Sequence, residues 1–105
     1  MKVYIHEKSF IARIAAWKLG ATNCAIVIGS TIHLHNTSTH ELLNNKAWLR
    51  HEVCHVRQWK QKGYVVFLIY YLYLSAIKGY RQNPYEVEAR EAEENPEIMD
   101  GVQVL

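Results

Sequence analysis

The chain has 105 residues and a mass of 12.3 kDa, a length that supports one small domain (residues 1–105) and not two independent cores. Half of the residues are hydrophobic and 21% are charged, which excludes a disordered chain, and the presence of only two cysteines, Cys24 and Cys54, excludes a disulfide-rich scaffold. The net charge of +2 is unevenly spread: residues 1–85 carry eleven Lys or Arg against three acidic residues, and residues 86–105 carry one Arg against seven.

The first part of the chain predicts a strand, a helix and a β-hairpin. Alternating residues in Lys2–His6 are typical of a short strand, and Ser9 is a suitable N-cap for a helix over Phe10–Leu19. These two elements form an N-terminal unit within residues 1–20. Residues 24–35 contain two β-rich runs around a Gly-Ser pair, which predicts a hairpin.

The middle of the chain predicts a long helix over residues 39–62. Ser38 and Glu41 have the spacing of a capping box, which favours a helix start nearby. A pair of asparagines follows, however, so the start of the helix can lie anywhere between Thr39 and Lys46.

Residues 64–77 form the most apolar run of the sequence, YVVFLIYYLYLSAI. Because these 14 residues fall short of the ~20 that a membrane-spanning helix needs, the run predicts a buried helix. A membrane-surface or oligomerising role is the alternative for the same run. The N-terminus lacks the apolar region and the cleavage site of a signal peptide, so the cytoplasm is the expected location.

A last helix is predicted over residues 84–95, with Asn83 as its N-cap and Pro84 at its first position. Pro96 ends this helix, and residues 96–105 have no clear pattern. The acidic residues of this region predict either a solvated helix face or a tail that folds back over the basic body. Together the elements predict an α+β fold, in which a small sheet containing the hairpin packs against about four helices.

The strongest chemical signal is the HExxH motif formed by His51, Glu52 and His55. Because residues four apart lie on one face of a helix, both imidazoles can bind one Zn²⁺. Glu52 points in another direction, but its side chain can reach a metal-bound water as a general base. The alternative is that both histidines are ordinary surface residues. The helix would pack against the core through an apolar stripe roughly opposite the histidines, formed by Leu49, Val53 and Val56.

A catalytic zinc site needs a third protein ligand, and four residues qualify by position. Glu86 and Glu88 lie at the start of the last helix, and His33 and His35 share one face of a predicted strand. Cys54 lies inside the motif but off the face shared by the two histidines, so we expect it to be a small packing residue.

The motif HEVCH, with Glu86 of the segment NPYEVEAR 31 positions after His55, resembles the gluzincins, a group of zinc metallopeptidases. It is similar in particular to the small minigluzincins, which implies a zincin-like single domain. In those enzymes a second helix supplies a Glu ligand within E-x-x-A. The resemblance therefore implies that Glu86 is the third ligand of Zn²⁺ and that Ala89 lets two helices approach closely. Glu88 is the alternative third ligand, because the phase of the helix is uncertain.

The sequence departs from the gluzincin pattern at Arg90. Many gluzincins have there an Asp that orients a metal-bound histidine, and an arginine cannot accept an imidazole N–H. We therefore expect the orienting group to be a backbone carbonyl or another acid such as Glu93. At helical spacing Arg90 can instead pair with Glu86 or Glu94.

These residues predict a zinc metallopeptidase that acts on a peptide or protein, with Glu52 as the general base. Tyr80 and Tyr85 are candidate oxyanion stabilisers. The resemblance implies that an extended substrate pairs with Thr31–His35 as an edge strand. It also implies that a terminal segment can keep the enzyme latent. The carboxylates that we expect to approach the zinc are those of Glu97, Asp100 and the C-terminal Leu105.

Two non-enzymatic alternatives stay open. One is a zinc-stabilised binding module with a structural HExxH motif, and the other is a membrane-surface or oligomerising protein that uses residues 64–77. A nucleic-acid partner is not expected, because the basic residues are scattered and no nucleic-acid-binding motif is present.

Overall fold

A four-stranded mixed sheet organises the computed structural model, which describes all 105 residues. The strands lie side by side in the order β2-β3-β1-β4. The predicted strand and hairpin are confirmed: β2 and β3 are antiparallel, and β1 is parallel to its neighbours β3 and β4. Strand β4 was not predicted. In chain order the strands are β1 (Lys2–His6), β2 (Cys24–Ile28), β3 (Thr31–His35) and β4 (Gln103–Val104).

Five α-helices accompany the sheet, so the α+β class is confirmed with one helix more than expected. The helices are α1 (Phe10–Leu19), α2 (Thr39–Asn44), α3 (Lys46–Lys62), α4 (Tyr64–Lys78) and α5 (Pro84–Ala92). The single helix predicted over residues 39–62 is therefore two helices. The break occurs at Asn45, which has a φ of −106° and a ψ of 89°, outside the helical region. Its side chain then caps α3 by accepting a hydrogen bond from the Trp48 N–H at 3.1 Å.

The hydrophobic core lies between α3 and the sheet. Alternation along β3 turns Ile32 and Leu34 inward, where both are fully buried. The indole N–H of Trp59 donates to the Val27 carbonyl at 3.1 Å and so ties α3 to strand β2. On α3 the predicted apolar stripe is buried, as expected for Leu49, Val53 and Val56.

Helix α5 packs closely against α3 because small side chains meet at the contact. Cys54 of α3 is buried with Ala89 and Ala92 of α5, which confirms the packing role predicted for Cys54 and Ala89. Asn83 caps α5 and Pro84 occupies its first turn, as predicted. The helix ends at Ala92, three positions before the predicted end at 95.

The apolar run 64–77 is a helix, but the prediction that this helix is buried is wrong. Phe67 is the only buried residue of α4. A helix that is apolar on all sides can bury only the side that faces the body of the protein, and α4 lies at the surface against α3. No helix of the structure is both long enough and apolar enough to cross a bilayer.

The last ten residues return to the sheet. Pro96–Met99 form a 3-10 helix, and β4 extends the sheet, with the Leu105 N–H donating to the Val3 carbonyl at 2.8 Å. Arg57 holds the segment by donating to the carbonyl oxygens of Ile98 at 2.8 Å and Asp100 at 2.7 Å. The tail therefore folds back onto the basic body, but through its backbone and not through its carboxylates.

The inhibitory contact predicted for this tail is not formed. No hydrogen bond or ion pair joins Glu97, Asp100 or Leu105 to His51 or His55. The tail instead forms the edge strand β4 beside β1, at the end of the sheet opposite β2. Deleting residues 96–105 would remove a strand of the sheet, so it is a test of stability and not of latency.

Candidate metal centre

Helix α3 presents His51 and His55 on one face, one turn apart, as the HExxH spacing requires. Their ring centroids are 5.1 Å apart, and His55 is buried while His51 is partly exposed. One ligand atom from each histidine and one carboxylate oxygen of Glu52 lie within 4.8 Å of one another.

Glu86 of α5 faces both imidazoles. Its Oε1 lies 3.4 Å from Nε2 of His51, and its Oε2 lies 3.1 Å from Nε2 of His55. Glu88 is directed elsewhere, because residues two apart on a helix point about 200° apart. Its carboxylate accepts a hydrogen bond from the Gln58 amide at 2.8 Å. Of the two glutamates that the sequence left open, the structure brings Glu86 to the histidines and not Glu88.

The remaining ring nitrogens are held by oxygen acceptors. Nδ1 of His51 lies 2.8 Å from Oε2 of Glu93, and Nδ1 of His55 lies 2.9 Å from Oε1 of Gln58. These contacts favour a proton on Nδ1 of each ring, so that Nε2, which faces Glu86, can bind a metal ion once it has released its own proton. Glu93 thus makes the contact with His51 that is expected of the orienting acid. Gln58 was missed, although its position one turn after His55 was a usable signal.

Arg90 forms neither of the ion pairs expected from helical spacing. Its guanidinium donates to the Arg81 carbonyl at 2.6 Å, and no ion pair joins it to Glu86 or Glu94. Glu86 is buried and directed at the two histidines, whereas the Arg90 side chain extends to the Arg81 carbonyl. Arg90 therefore helps to hold the loop before α5 and takes no part in the site.

Glu52 carries the only buried side-chain oxygen or nitrogen atom in the protein that lacks a hydrogen-bond partner, its Oε2. The residue is 4% exposed. Burial raises the pKa of Glu52 to about 7, although the positive charges of His55 and His51 lower it. A carboxyl group that titrates near neutral pH can both accept and release a proton. An unpartnered buried oxygen beside two imidazoles fits a site that takes a metal ion together with a water molecule.

The ionisation of the ligand residues reflects their contacts. Burial lowers the pKa of His51, but its hydrogen bond to Glu86 and the charge of Glu52 outweigh burial and raise the pKa to about 9. The pKa of His55 is also raised, because its hydrogen bond to Glu86 outweighs burial. Burial raises the pKa of Glu86, but its hydrogen bonds with both histidines hold it well below its usual range. The Glu86 carboxylate therefore stays ionised, as a metal ligand must.

Two tyrosines contact or face this site. The Tyr71 hydroxyl donates to Oε2 of Glu86 at 2.6 Å, a contact that the sequence did not reveal because Tyr71 lies in the apolar run without any motif. Tyr80 lines the same cleft as Glu86, and burial together with the Glu86 charge raises the pKa of its phenol, which stays protonated and can donate. Tyr85 packs on the ring of Phe67, with centroids 4.9 Å apart, and is not among the residues that line the cleft, so its oxyanion role stays a prediction.

The site lies at the polar end of an apolar cleft with a volume of about 370 Å³. Strand β2 forms one wall of this cleft, and α1 and α4 contribute Ala15, Leu19, Leu68 and Leu72. The strand expected to bind a substrate, Thr31–His35, is paired on both sides, with β2 and with β1. Because a paired strand has no free backbone groups to offer, that prediction is wrong, and β2 is the edge strand beside the cleft.

Comparisons with protein families, with curated proteins and with solved structures found no match. The residues and their geometry therefore carry the functional argument. Two imidazole nitrogens and one carboxylate form a donor set that zinc hydrolases use and that other first-row metals also accept.

The two remaining candidate ligands lie apart from this group. Nδ1 of His33 is hydrogen-bonded to the Ser9 hydroxyl at 2.9 Å, and its ring is 5.3 Å from the ring of His6. Burial, together with the charge of His6, lowers the pKa of His33. His35 lines a separate polar groove with Ser38. The structure thus assigns these strand histidines no part in the HExxH site.

Proposed function

We propose that this protein is a zinc-dependent metallopeptidase that hydrolyses peptide bonds. The observation that carries the proposal is the approach of one buried carboxylate, that of Glu86, to within 3.4 Å of His51 Nε2 and 3.1 Å of His55 Nε2. Glu52, the residue that the HExxH motif uses as its general base, is buried beside them. A zinc hydrolase requires two imidazoles, a carboxylate as the third ligand and a free carboxyl group beside them.

The residues that would hold the zinc are His51, His55 and Glu86. Oxygen acceptors on both Nδ1 atoms leave the Nε2 atoms as donors, and the Tyr71 hydroxyl fixes the carboxylate of Glu86. A bound zinc ion would lower the pKa of a water molecule toward ~7 and would polarise the carbonyl group of the substrate.

Glu52 takes the proton from the attacking water and later passes it to the leaving amine. In the metal-free protein, burial raises the pKa of Glu52 to about 7, so this carboxyl is able to take up and to release a proton near neutral pH. Tyr80, whose phenol stays protonated, donates a hydrogen bond to the carbonyl oxygen of the substrate as negative charge develops there.

Strand β2 supports a peptide as the substrate class. It pairs only with β3, so its other edge leaves backbone N–H and C=O groups for an extended chain. The same strand lines the cleft that ends at Glu52, His55 and Glu86. The cytoplasmic location expected from the sequence stays a prediction.

The metal is tested by measuring the metal content of the purified protein by mass spectrometry. We expect one zinc ion per chain in the wild type, loss of zinc in Glu86→Ala, and retention of zinc in the matched control Glu88→Ala, whose carboxylate is bound to Gln58. Protein that binds no metal, even after incubation with zinc, contradicts the proposal and leaves a buried histidine–carboxylate cluster. Iron in place of zinc contradicts the peptidase chemistry.

The hydrolysis is tested with a mixture of quenched fluorescent peptides. Glu52→Gln should retain its zinc and lose at least about 100-fold of the wild-type rate, the lower end of what a general base contributes. If the zinc-loaded wild type cleaves no peptide while it binds them, the protein is a zinc-stabilised binding module. If Glu52→Gln is as fast as the wild type, Glu52 is not the base.

A further inference from the structure

Helices α1 and α4 expose an unusual amount of apolar surface, which we call the apolar face. Trp17 is 78% exposed and Phe10 is 70% exposed. Soluble monomers rarely expose large contiguous apolar patches, and such patches usually mark interaction sites. The apolar face consists of Phe10, Ile11, Ile14, Trp17 and Leu19 from α1, and of Tyr64, Val65, Val66, Leu68, Ile69, Tyr70, Leu72, Tyr73 and Ile77 from α4.

The contributions of the two helices meet at the cleft. Leu19 of α1 and both Leu68 and Leu72 of α4 belong to the apolar face and line the same cleft above His55 and Glu86. The two helices therefore flank one opening, and part of the apolar face lines the cleft to the candidate metal centre.

The charged residues within α1 and α4 are all basic, although Glu7 and Glu41 line a groove with Phe10 and Arg13 at the start of α1. Neither α1 nor α4 contains an acidic residue, and between residues 42 and 85 the only acid is the buried Glu52. All three ion pairs in the structure are between a histidine and a glutamate of the metal centre, so no lysine or arginine is neutralised by a carboxylate. The basic residues within the two helices or next to them are Arg13, Lys18, Lys60, Lys62, Lys78 and Arg81.

We infer that the apolar face binds the surface of a lipid bilayer that carries anionic headgroups. Exposed aliphatic side chains can enter the headgroup region, while the surrounding lysines and arginines attract anionic lipids. Trp17, Tyr70 and Tyr73 have the amphipathic rings that are enriched at membrane–water interfaces. Helix α4 has 15 residues and is therefore about 22 Å long, which suits a helix that lies along the surface and does not cross it.

A second copy of the chain fits this face less well than a lipid surface. A symmetric dimer through α1 and α4 would bring two sets of unpaired lysines and arginines together, and like charges at a desolvated contact repel each other. An anionic bilayer supplies the opposite charge together with an apolar interior. Charge complementarity thus selects the lipid surface.

Docking in this way places the cleft entrance at the bilayer. If the protein is the peptidase proposed above, its substrates are peptide segments at the membrane surface. This last step rests on the proposed function, whereas binding to the bilayer does not.

The test is co-sedimentation with large unilamellar vesicles of phosphatidylcholine, with and without phosphatidylserine. We expect the wild type to bind the phosphatidylserine vesicles and the double variant W17E/I69E to bind at least about tenfold more weakly, since each change removes an apolar side chain worth more than that when buried. Leu43→Glu is the matched control, because Leu43 is an exposed leucine of α2 outside the apolar face. K62Q/K78Q should weaken binding by roughly fivefold for each lysine.

Three results would overturn the inference. These are the absence of binding to phosphatidylserine vesicles, an equal loss in Leu43→Glu and W17E/I69E, and a dimer in light scattering that W17E/I69E dissociates while vesicles are not bound. Circular dichroism verifies that the variants are folded, and both changed side chains in W17E/I69E are exposed, so the core is untouched. Glu52→Gln should bind vesicles as the wild type does. A protein that cleaves no peptide can therefore still bind vesicles, and a protein that binds no vesicles can still be a peptidase.

Discussion

The two consecutive helices α3 and α4 differ in burial, and the more apolar of the two is the less buried. They have 17 and 15 residues and are separated by Gly63 alone. The more polar helix, α3, buries eight residues, three of which are polar or charged: Glu52, His55 and Gln58. The apolar helix, α4, buries one. Hydrophobicity alone therefore does not decide which helix of this protein lies inside.

Position and pairing explain the difference. Helix α3 is covered by the sheet, by α4 and by α5, and its buried polar groups are matched by partners on α5 such as Glu86 and Glu88. Buried polar groups are tolerated when they are paired in this way. Helix α4 has no periodic apolar stripe that would select one face, and only the side with Phe67 meets the core. Helix α3 thus holds paired polar groups inside the protein, and helix α4 exposes an apolar surface.

The largest expected effect is at Phe67, the one buried residue of α4. Phe67 packs against the rings of Trp59 and Tyr85, with centroids 4.8 and 4.9 Å away. Phe67→Ala should lower the free energy of unfolding by about 3–5 kcal/mol, as measured by urea denaturation, because it leaves a cavity at that contact. Tyr70→Ala, at an exposed position of the same helix, should change it by about 0.5 kcal/mol or less. Equal losses would show that α4 is held by more than one side.

The same chemical change can be made in both helices. Leu49→Ala in α3 should cost about 2–5 kcal/mol, because Leu49 is 8% exposed and belongs to the core. Leu72→Ala in α4 should cost about 0.5 kcal/mol or less, because Leu72 is 59% exposed. In urea denaturation, Leu49→Ala should therefore unfold at a lower urea concentration than Leu72→Ala. The opposite order would contradict our account.

A smaller effect is expected at the partner that α5 supplies to His51. Glu93→Gln replaces the carboxylate at Nδ1 of His51 by a neutral amide, and changes at such orienting groups typically lower metal affinity by about 10–100-fold. Competition with a zinc chelator measures this change. Glu94→Gln is the matched control, since Glu94 has no contact with either histidine. An equal effect of both substitutions would mean that general charge, and not the contact, controls the affinity.

The sequence predicted those features of the fold that depend on local pattern. The strand Lys2–His6, the hairpin around Gly29, the caps at Ser9 and Asn83 and the apolar stripe of α3 each follow from spacing within a few residues. The exposure of α4 and the return of β4 to the sheet depend on contacts between distant parts of the chain, and no local pattern reports those contacts.

The candidate site divides in the same way. The HExxH spacing predicted the shared face of His51 and His55, because four residues make about one turn. The choice between Glu86 and Glu88 depended on the rotational phase of α5, which only the packing of Cys54 against Ala89 settles. Tyr71 was beyond sequence reasoning, since no motif connects a residue of the apolar run to the metal centre.

The pH dependence of zinc binding gives the most specific comparison. In the metal-free protein His51 has a pKa of about 9, raised from 6.5, so its bonds to Glu86 and Glu93 stabilise the fold fully below pH 6.5 and are lost as the pH rises through about 9. Zinc must displace the same proton. Its apparent affinity, measured by chelator competition, should therefore rise with pH up to about 9, by about tenfold per pH unit for the proton of His51 and more steeply where His55, whose pKa is also raised, releases a proton as well. The rise should level off at a lower pH in Glu93→Gln, because one cause of the raised pKa is gone. An affinity that is flat over this range would mean that His51 gives up no proton to the metal.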